Sequence, residues 1–514
     1  MDEIFKLIDI NKKKGQRSIQ LINQNFRKKE VSKDNVLYDS IIGGKYKSDE
    51  EAAMDMFGAD PGNRNYRNTK GKLKQKLLNH LYFLDYEKNG YTNYDKVEYE
   101  TYHVLHQCHI LFKENAPEIA MRRLPLVVKV ALEYEFIDMA ITALEMMRSQ
   151  YAQEGKTTPF AEANDDLKKL RKFSTAIQES EEKFEEALVY INKSTSSQNK
   201  AIEDIPQNVK DIESNARSFK SNRLYILAKK LQIIYNTILY RFEENIALSN
   251  ELEKKFLHKP LNKIAVDLDK HYLAFIKLYS LFQQKKYGEG ITYSEKTIKI
   301  FRQGSDYWFK FMEYYFFTCM HAKKFQKAAA LFRLVRTNKS FYQLPQDVTD
   351  RWQIYRPYLI FFYETKLLKW GFDLEEFLKQ EPDYPKEQQG YSITVLVAQF
   401  MYLLRDGRVA DVKEKVEALE KFSSVHLDKR HNYRNSIFIR MLSIIVDKEF
   451  NYELIAEKGE TYLKKLHRFN IPFDLQNEIE VLPFEAIWDY ALNILKTNKY
   501  YIHYRFYSPA EPQQ

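Results

Sequence analysis

Residues 271–338 read HYLAFIKLYSLFQQKKYGEGITYSEKTIKIFRQGSDYWFKFMEYYFFTCMHAKKFQKAAALFRLVRTN. The stretch states one pattern twice. Its spacing predicts an aromatic-rich helix ending in Lys285-Lys286-Tyr287, then a second helix with Gly290, Ser294 and Thr297 facing back. After a short break the cycle restarts at Tyr307 and reaches Lys323-Lys324-Phe325, followed by Ala328 and Ala329. Tyr287 and Phe325 lie 38 positions apart, the period of a helix pair in a solenoid. The fold class this predicts is all-α, built from antiparallel helix pairs.

The bulk composition agrees. The chain of 514 residues has only 15 Gly and 14 Pro, so turns are sparse and long helices are favoured. Tyr (37) and Phe (34) are abundant, and such side chains fill the gaps between packed helices. Two cysteines, Cys108 and Cys319, are too few for a disulfide framework and fit a reducing compartment. The N-terminal stretch MDEIFKLIDINKKKGQ has no apolar core of the secretory kind. The longest apolar run, 395–404, is about half of the ~20 residues a membrane span needs. A soluble, cytoplasmic protein without a membrane partner is expected. Its richness in Lys, Asn, Ile, Tyr and Phe is that of many low-GC bacteria, so a bacterial source is expected. A net charge of +9 is mild for this length and compatible with an anionic partner.

Outward from the repeat, the texture changes in blocks. Residues 1–92 read as a basic helical module. In it, Ser48 can cap a helix that stops near Gly58, and Leu73, Leu77, Leu81 and Leu84 mark one face of another over 63–84. Residues 93–150 read as the first helix pairs, with Pro117 in a first turn, Pro125 inside a helix and a hinge near Glu135. Residues 151–221 read as a long helical hairpin or coiled-coil-like arm. Its seam is Leu170, Phe173, Ile177, Ser180, Phe184, Ala187 and Ile191. Residues 222–498 carry the repeats, and 499–514 form a tail whose stretch KYYIHYRFY is expected to dock on its own solenoid or on a partner.

The pairs resemble tetratricopeptide-type repeats. That motif places Gly at the turn between its helices, an aromatic or apolar residue two later, and small residues three and seven further on. Gly407, Val409, Val412 and Val416 fall on those places, as do Tyr287, Gly290 and Ser294, and Phe325, Ala328 and Phe332. The resemblance implies an irregular right-handed superhelix whose concave groove binds a peptide or partner helix. The chain departs from the family in three ways. The period drifts from 38 to the 43 positions between Val409 and Tyr452, the usual Trp and Pro are missing, and Gly459 sits where a packing side chain is expected.

Candidate functional residues fall in two places. Arg64, Arg67, Lys70, Lys72, Lys74 and Lys76 form a run with no acid between them. With the preceding helix they suggest a helix-turn-helix-like unit that meets DNA or RNA phosphates, with Tyr66 and Asn68 near bases or sugars; a solvated Lys-rich face is the plainer explanation. In the repeats, Tyr279, Tyr307, Trp308, Tyr314 and Tyr315 belong to aromatic clusters that either form core or line a partner groove. His103, His106, Cys108 and His109 lie close in sequence, but they sit on one helix without a second ligand cluster, so no metal is assigned. There is no nucleophile elbow, and Gly155-Lys156-Thr157-Thr158 lacks the upstream Gly of a phosphate loop. The expectation is a non-enzymatic, cofactor-free scaffold or adaptor for a protein or peptide partner. The alternative is a nucleic-acid-associated regulator acting through helix 63–84.

Overall fold

The computed structural model describes residues 32–46, 48–81, 93–191, 195–256, 266–369, 371–382, 384, 389–426, 433–468, 480–498 and 501. Among the described residues all regular structure is helical. The chain divides into two compact units. The first is Met1–Val189, Lys210–Leu227 and Leu261–Asp267; the second is Tyr190–Val209, Ala228–Pro260 and Leu268–Gln514. The start of the basic module (residues 1–31), Leu84 and most of the tail 499–514 lie outside the described residues.

One turn recurs along the chain. At Asn115, Glu135, Gly155, Lys220, Tyr240, Lys285, Lys323 and Gly407 a single residue takes positive φ between two helices. In each case the next residue's N–H donates to a carbonyl five positions back, as Lys286 does to Leu281 (2.9 Å) and Lys324 to Cys319 (2.8 Å). This satisfies a carbonyl that the ending helix would otherwise leave unpaired. The next helix then starts within a residue or two, at Pro117, Ile137, Thr157, Asn222, Phe242, Tyr287, Phe325 and Val409.

In the first unit, α1 (Lys33–Ile42) and α2 (Asp49–Phe57) both pack on α3 (Arg64–His80). Next come α4 (Asn93–Lys113), α5 (Pro117–Glu133) and α6 (Ile137–Gln153), each packed on the next. Alanines at 120, 131, 140 and 143 are fully buried and let these backbones approach. Helix α5 opens with Pro117, whose missing N–H is no loss at that place, and runs on through Pro125.

The long arm is α7 (Thr157–Ile191) and α8 (Thr195–Phe219). Phe173 stacks on Phe219 at 4.7 Å, Asn215 donates to Ser180 at 3.1 Å, and Lys183 pairs with Asp211. The expected seam residues from Phe173 to Ala187 are buried or half-buried. At the start of α9 (Asn222–Ile238), the buried Glu135 accepts from Ser221 Oγ (2.5 Å) and from the Asn222 N–H (2.9 Å). A carboxylate there meets the positive end of the helix dipole.

The second unit continues through α10 (Phe242–Phe256), α11 (Val266–Gln283), α12 (Tyr287–Thr297), α13 (Asp306–His321), α14 (Phe325–Arg336) and α15 (Gln346–Phe362). Short α16 (Lys366–Lys369) and α17 (Leu374–Lys379) precede α18 (Gln389–Arg405), α19 (Val409–His426), α20 (Tyr433–Asp447), α21 (Tyr452–Arg468) and α22 (Phe484–Thr497). From α12 to α15 and from α18 to α22 each helix packs on its successor, and α15 packs on α18. The motif positions Gly290, Ser294, Ala328, Phe332, Val412 and Val416 are all buried. A Cβ at Gly290 would come within 3.0 Å of Thr318 Cγ2, so glycine sets how closely α12 meets α13. Tyr287 packs on His321 and Phe325 stacks on Phe362, each reaching the following helix pair.

Two helices are buried almost all round. Residues 311–320 of α13 and 391–404 of α18 have no exposed position. Aromatic and aliphatic side chains on every face require neighbours on every face. No described helix is long and apolar enough to cross a membrane.

Two ionic clusters tie the stack. Glu313 on α13 is bound by Arg351 of α15 through Nε (2.8 Å) and a second nitrogen (3.2 Å), and by the Tyr355 hydroxyl (2.7 Å). Arg351 also reaches Asp347 and the Tyr391 hydroxyl. In the second cluster, Arg434 of α20 binds Glu480 (2.5 Å), Glu485 (2.9 Å) and the Leu466 carbonyl (2.8 Å). Glu480 also accepts the Phe484 N–H at the start of α22 (3.2 Å).

The segment that begins at Glu480 bridges several first helices of pairs. The Glu480 carbonyl lies 2.8 Å from His321 Nε2 at the end of α13. Tyr490 meets Phe362 of α15 at 4.4 Å, Phe484 stacks on Phe438 of α20 at 4.3 Å, and Asn498 donates to the Arg405 carbonyl of α18 at 2.9 Å. Tyr501, the tail residue that is described, donates to the Leu404 carbonyl (2.7 Å) and stacks on Phe450.

His321 makes this closure sensitive to pH. A carbonyl can only accept, so Nε2 carries the proton and Nδ1 accepts from the Tyr287 hydroxyl (3.2 Å). Burial pushes the imidazolium down to about 4, against smaller opposing effects from Glu480 and Glu485, while Arg434 and Lys285 repel the charge. An unfolded histidine titrates near about 6.5. Between these values the unfolded chain binds the proton first, so stability is complete above about 6.5 and falls toward pH 4, by up to about 3 kcal/mol. The urea midpoint of the protein is therefore expected to drop from pH 7 to pH 5. His321→Gln is expected to flatten that slope; an unchanged slope would show that His321 is not its source.

Candidate functional site

The basic helix α3 is oriented by its buried face. Asn63 caps it, accepting from the N–H groups of Asn65 (2.9 Å) and Tyr66 (3.3 Å). Tyr66, Thr69 and Leu73, at helical spacing, turn into the small core with Leu37, Ala52 and Ala53. Tyr66 is thus a core residue, not one placed to touch bases: its hydroxyl donates to Asp49 (2.5 Å), and burial with that carboxylate pushes its pKa up to about 12. Asn68 remains exposed. Leu77 and Leu81 are exposed rather than packed.

The six cations of this helix separate into two groups. Lys70 binds both oxygens of Asp49 (2.7 and 2.6 Å), and the bonds from Lys70 and Tyr66 hold that carboxyl below its usual range. Lys76 pairs with the buried Asp34 at 2.5 Å. Burial opposes ionisation of Asp34, and the bond from Lys76 overcomes it, leaving the pKa lowered. These two lysines fasten α3 to α2 and α1. Arg64, Arg67, Lys72 and Lys74 are exposed on the other side, and α3 has no acidic residue of its own. The result is one cationic face on a capped helix, joined to α2 by a turn over 58–63.

The aromatic candidates of the second unit take different places. Trp308, Tyr314 and Tyr315 are buried in the core, and Tyr279 is half-buried with edge contacts to Phe242 and Tyr314. Tyr307 is 49% exposed and stacks on His271 at 5.8 Å. Of the five, Tyr307 offers a partner the most surface.

Cys108 points into the core, 3.9 Å from the Ala120 carbonyl, and burial pushes its thiol pKa up; His103, His106 and His109 are exposed. The structure does not bring these four together. Among the described residues no group of three or more His, Cys, Asp or Glu is placed to hold a metal ion. Gly155-Lys156-Thr157 forms a helix-to-helix turn with helix α6, not a strand, before it.

A basic cluster that the sequence did not single out lies in the second unit. Arg333 and Arg336 of α14 and Arg356 of α15 converge on one cavity beside the exposed Tyr342. Its only signal in the sequence was the spacing of Arg333 and Arg336 on one helix face. Compared with protein-family models, with curated proteins and with solved structures, the chain matches none.

Proposed function

We propose that the protein is a non-enzymatic helical-repeat adaptor that binds a protein or peptide partner on its second unit, the stack there being a right-handed, TPR-like superhelix. The observation that supports this most is the unbroken succession α12 to α15 and α18 to α22, each helix packed on the next. Stacks of this kind gain surface with every pair added, and that surface is what such proteins use for binding. Residues 480–498 already bridge α13, α15, α18 and α20. The partner therefore uses the part of the stack before this bridge, near Tyr279 and Tyr307. A cytoplasmic setting fits, since Cys108 and Cys319 are both free and buried. The test is affinity capture with the full chain from lysate of the source cell, followed by cross-linking. A recurrent partner cross-linked within 268–321 is expected; capture of nothing, or cross-links confined to the first unit, would overturn the reading.

A second reading has its own support, the cationic face of α3. Arg64, Arg67, Lys72 and Lys74 meet nucleic-acid phosphates, while Lys70 and Lys76 hold the helix in place. Mixed-sequence DNA and RNA are expected to shift on a native gel at low salt, with affinity falling as salt rises because bound counterions are released. Reversing the four outer charges to Glu is expected to abolish the shift without unfolding the module. If no shift occurs at low salt, or the reversed variant shifts equally, this reading fails.

A further inference from the structure

The three arginines named above share a cavity of about 500 Å³ between α14 and α15, closed on one side by α16. Small-molecule pockets typically enclose about 300–1,000 Å³. Among the described residues, no Asp or Glu lines it. Its apolar wall includes Phe332 and Leu368, both buried, and Tyr342 stands at the rim, 75% exposed.

Two of the arginines are held before any ligand arrives. The Arg336 guanidinium lies over the rings of Phe341 (4.6 Å) and Tyr342 (5.9 Å). Arg356 Nε donates to the Leu368 carbonyl (3.0 Å), and its guanidinium lies over Phe372 (5.5 Å). Arg333 is exposed at the same opening. Like charges gathered beside apolar walls are costly unless an anion joins them. Consistent with that, burial and the like charge of Arg336 push the Arg356 pKa down. Glu364, the carboxylate nearest in sequence to Tyr363 and Thr365 of the lining, is paired with Lys369.

We propose that this cavity binds a small organic oxyanion: a carboxylate or phosphate carried on an apolar or aromatic body. Guanidinium forks match both groups through paired N–H donors, and Phe332, Leu368 and Tyr342 receive the body. The site does not depend on a protein partner and stands apart from the adaptor reading.

Isothermal titration of the full chain with 1-naphthoate, 1-naphthyl phosphate and the neutral 1-naphthalenemethanol tests it. One-to-one binding of at least one anion is expected, about tenfold or more tighter than the alcohol. Preference for the naphthoate assigns a carboxylate ligand and preference for the naphthyl phosphate a phosphate ligand. The double variant Arg333→Met, Arg336→Met is expected to weaken binding about tenfold or more with helicity unchanged. Tyr342→Ala, at an exposed position, serves if that variant does not fold, and is expected to weaken the same probe. Equal binding of anions and alcohol, no binding of either anion, or undiminished binding by the variants would overturn the proposal.

Discussion

Replacing Glu313 by Gln is expected to lower the stability of the second unit by about 3–5 kcal/mol, the cost of breaking a buried ion pair from one side. The side chain of Glu313 is almost fully buried and that of Arg351 nearly so. Glutamine keeps the shape of Glu313 and removes only its charge. Arg351 would then rely on Asp347, which is 40% exposed and partly screened by water. Burial alone would push the Arg351 pKa down, and the Glu313 carboxylate more than reverses that. Replacing both partners, Glu313→Gln with Arg351→Met, is expected to cost less than the single change, because no uncompensated charge remains. Urea denaturation followed by circular dichroism reads both. If the double variant were the less stable, the pair would be a source of net stability rather than a matched set of buried charges.

Trp488→Ala is expected to have an effect of similar size, about 3–5 kcal/mol, as for other buried Trp or Phe residues cut to Ala. Trp488 is buried in α22 against α21, where a Cβ on Gly459 would collide with the indole at Cζ2. That contact predicts a change of sign between backgrounds. In the native chain Gly459→Ala forces the indole to move and is expected to destabilise by about 1–3 kcal/mol. In the Trp488→Ala background the same change is expected to stabilise by about 0.5–1 kcal/mol, since Ala suits a helix interior better than Gly. Two additive effects, measured by the same denaturation, would mean that the glycine is not there for the tryptophan.

These residues also show what could be read in the sequence. The helix pairs were legible because Gly290, Ser294, Ala328, Val412 and Val416 recur at helical spacing behind an aromatic or apolar residue, and all are buried. The breaks at Glu135, Lys285, Lys323 and Gly407 were legible as well, but the left-handed conformation of most turns was not, because most of these sites hold Asn, Glu, Lys or Tyr where glycine would have marked them. Gly459 read as a departure from the repeat, since its partner Trp488 lies in a helix outside the pair. Lys70 and Lys76 look like Lys72 and Lys74 in a basic run; helical rotation alone turns the first two toward Asp49 and Asp34. The all-round aromatic helix at 307–317 was legible as core, and the structure leaves Tyr307 exposed at its start. The arginine cavity was hidden because Arg356 comes from the next helix and the loop at Tyr342 closes the set.

The measurement that bears most directly on the adaptor reading is capture by two forms of the full chain from one nuclease-treated lysate of the source cell. One form is native and the other carries Glu at Arg64, Arg67, Lys72 and Lys74. The account predicts that both retain the same protein partner and that cross-links fall in the second unit. Loss of the partner on nuclease treatment or on charge reversal, or the absence of any partner, would contradict it.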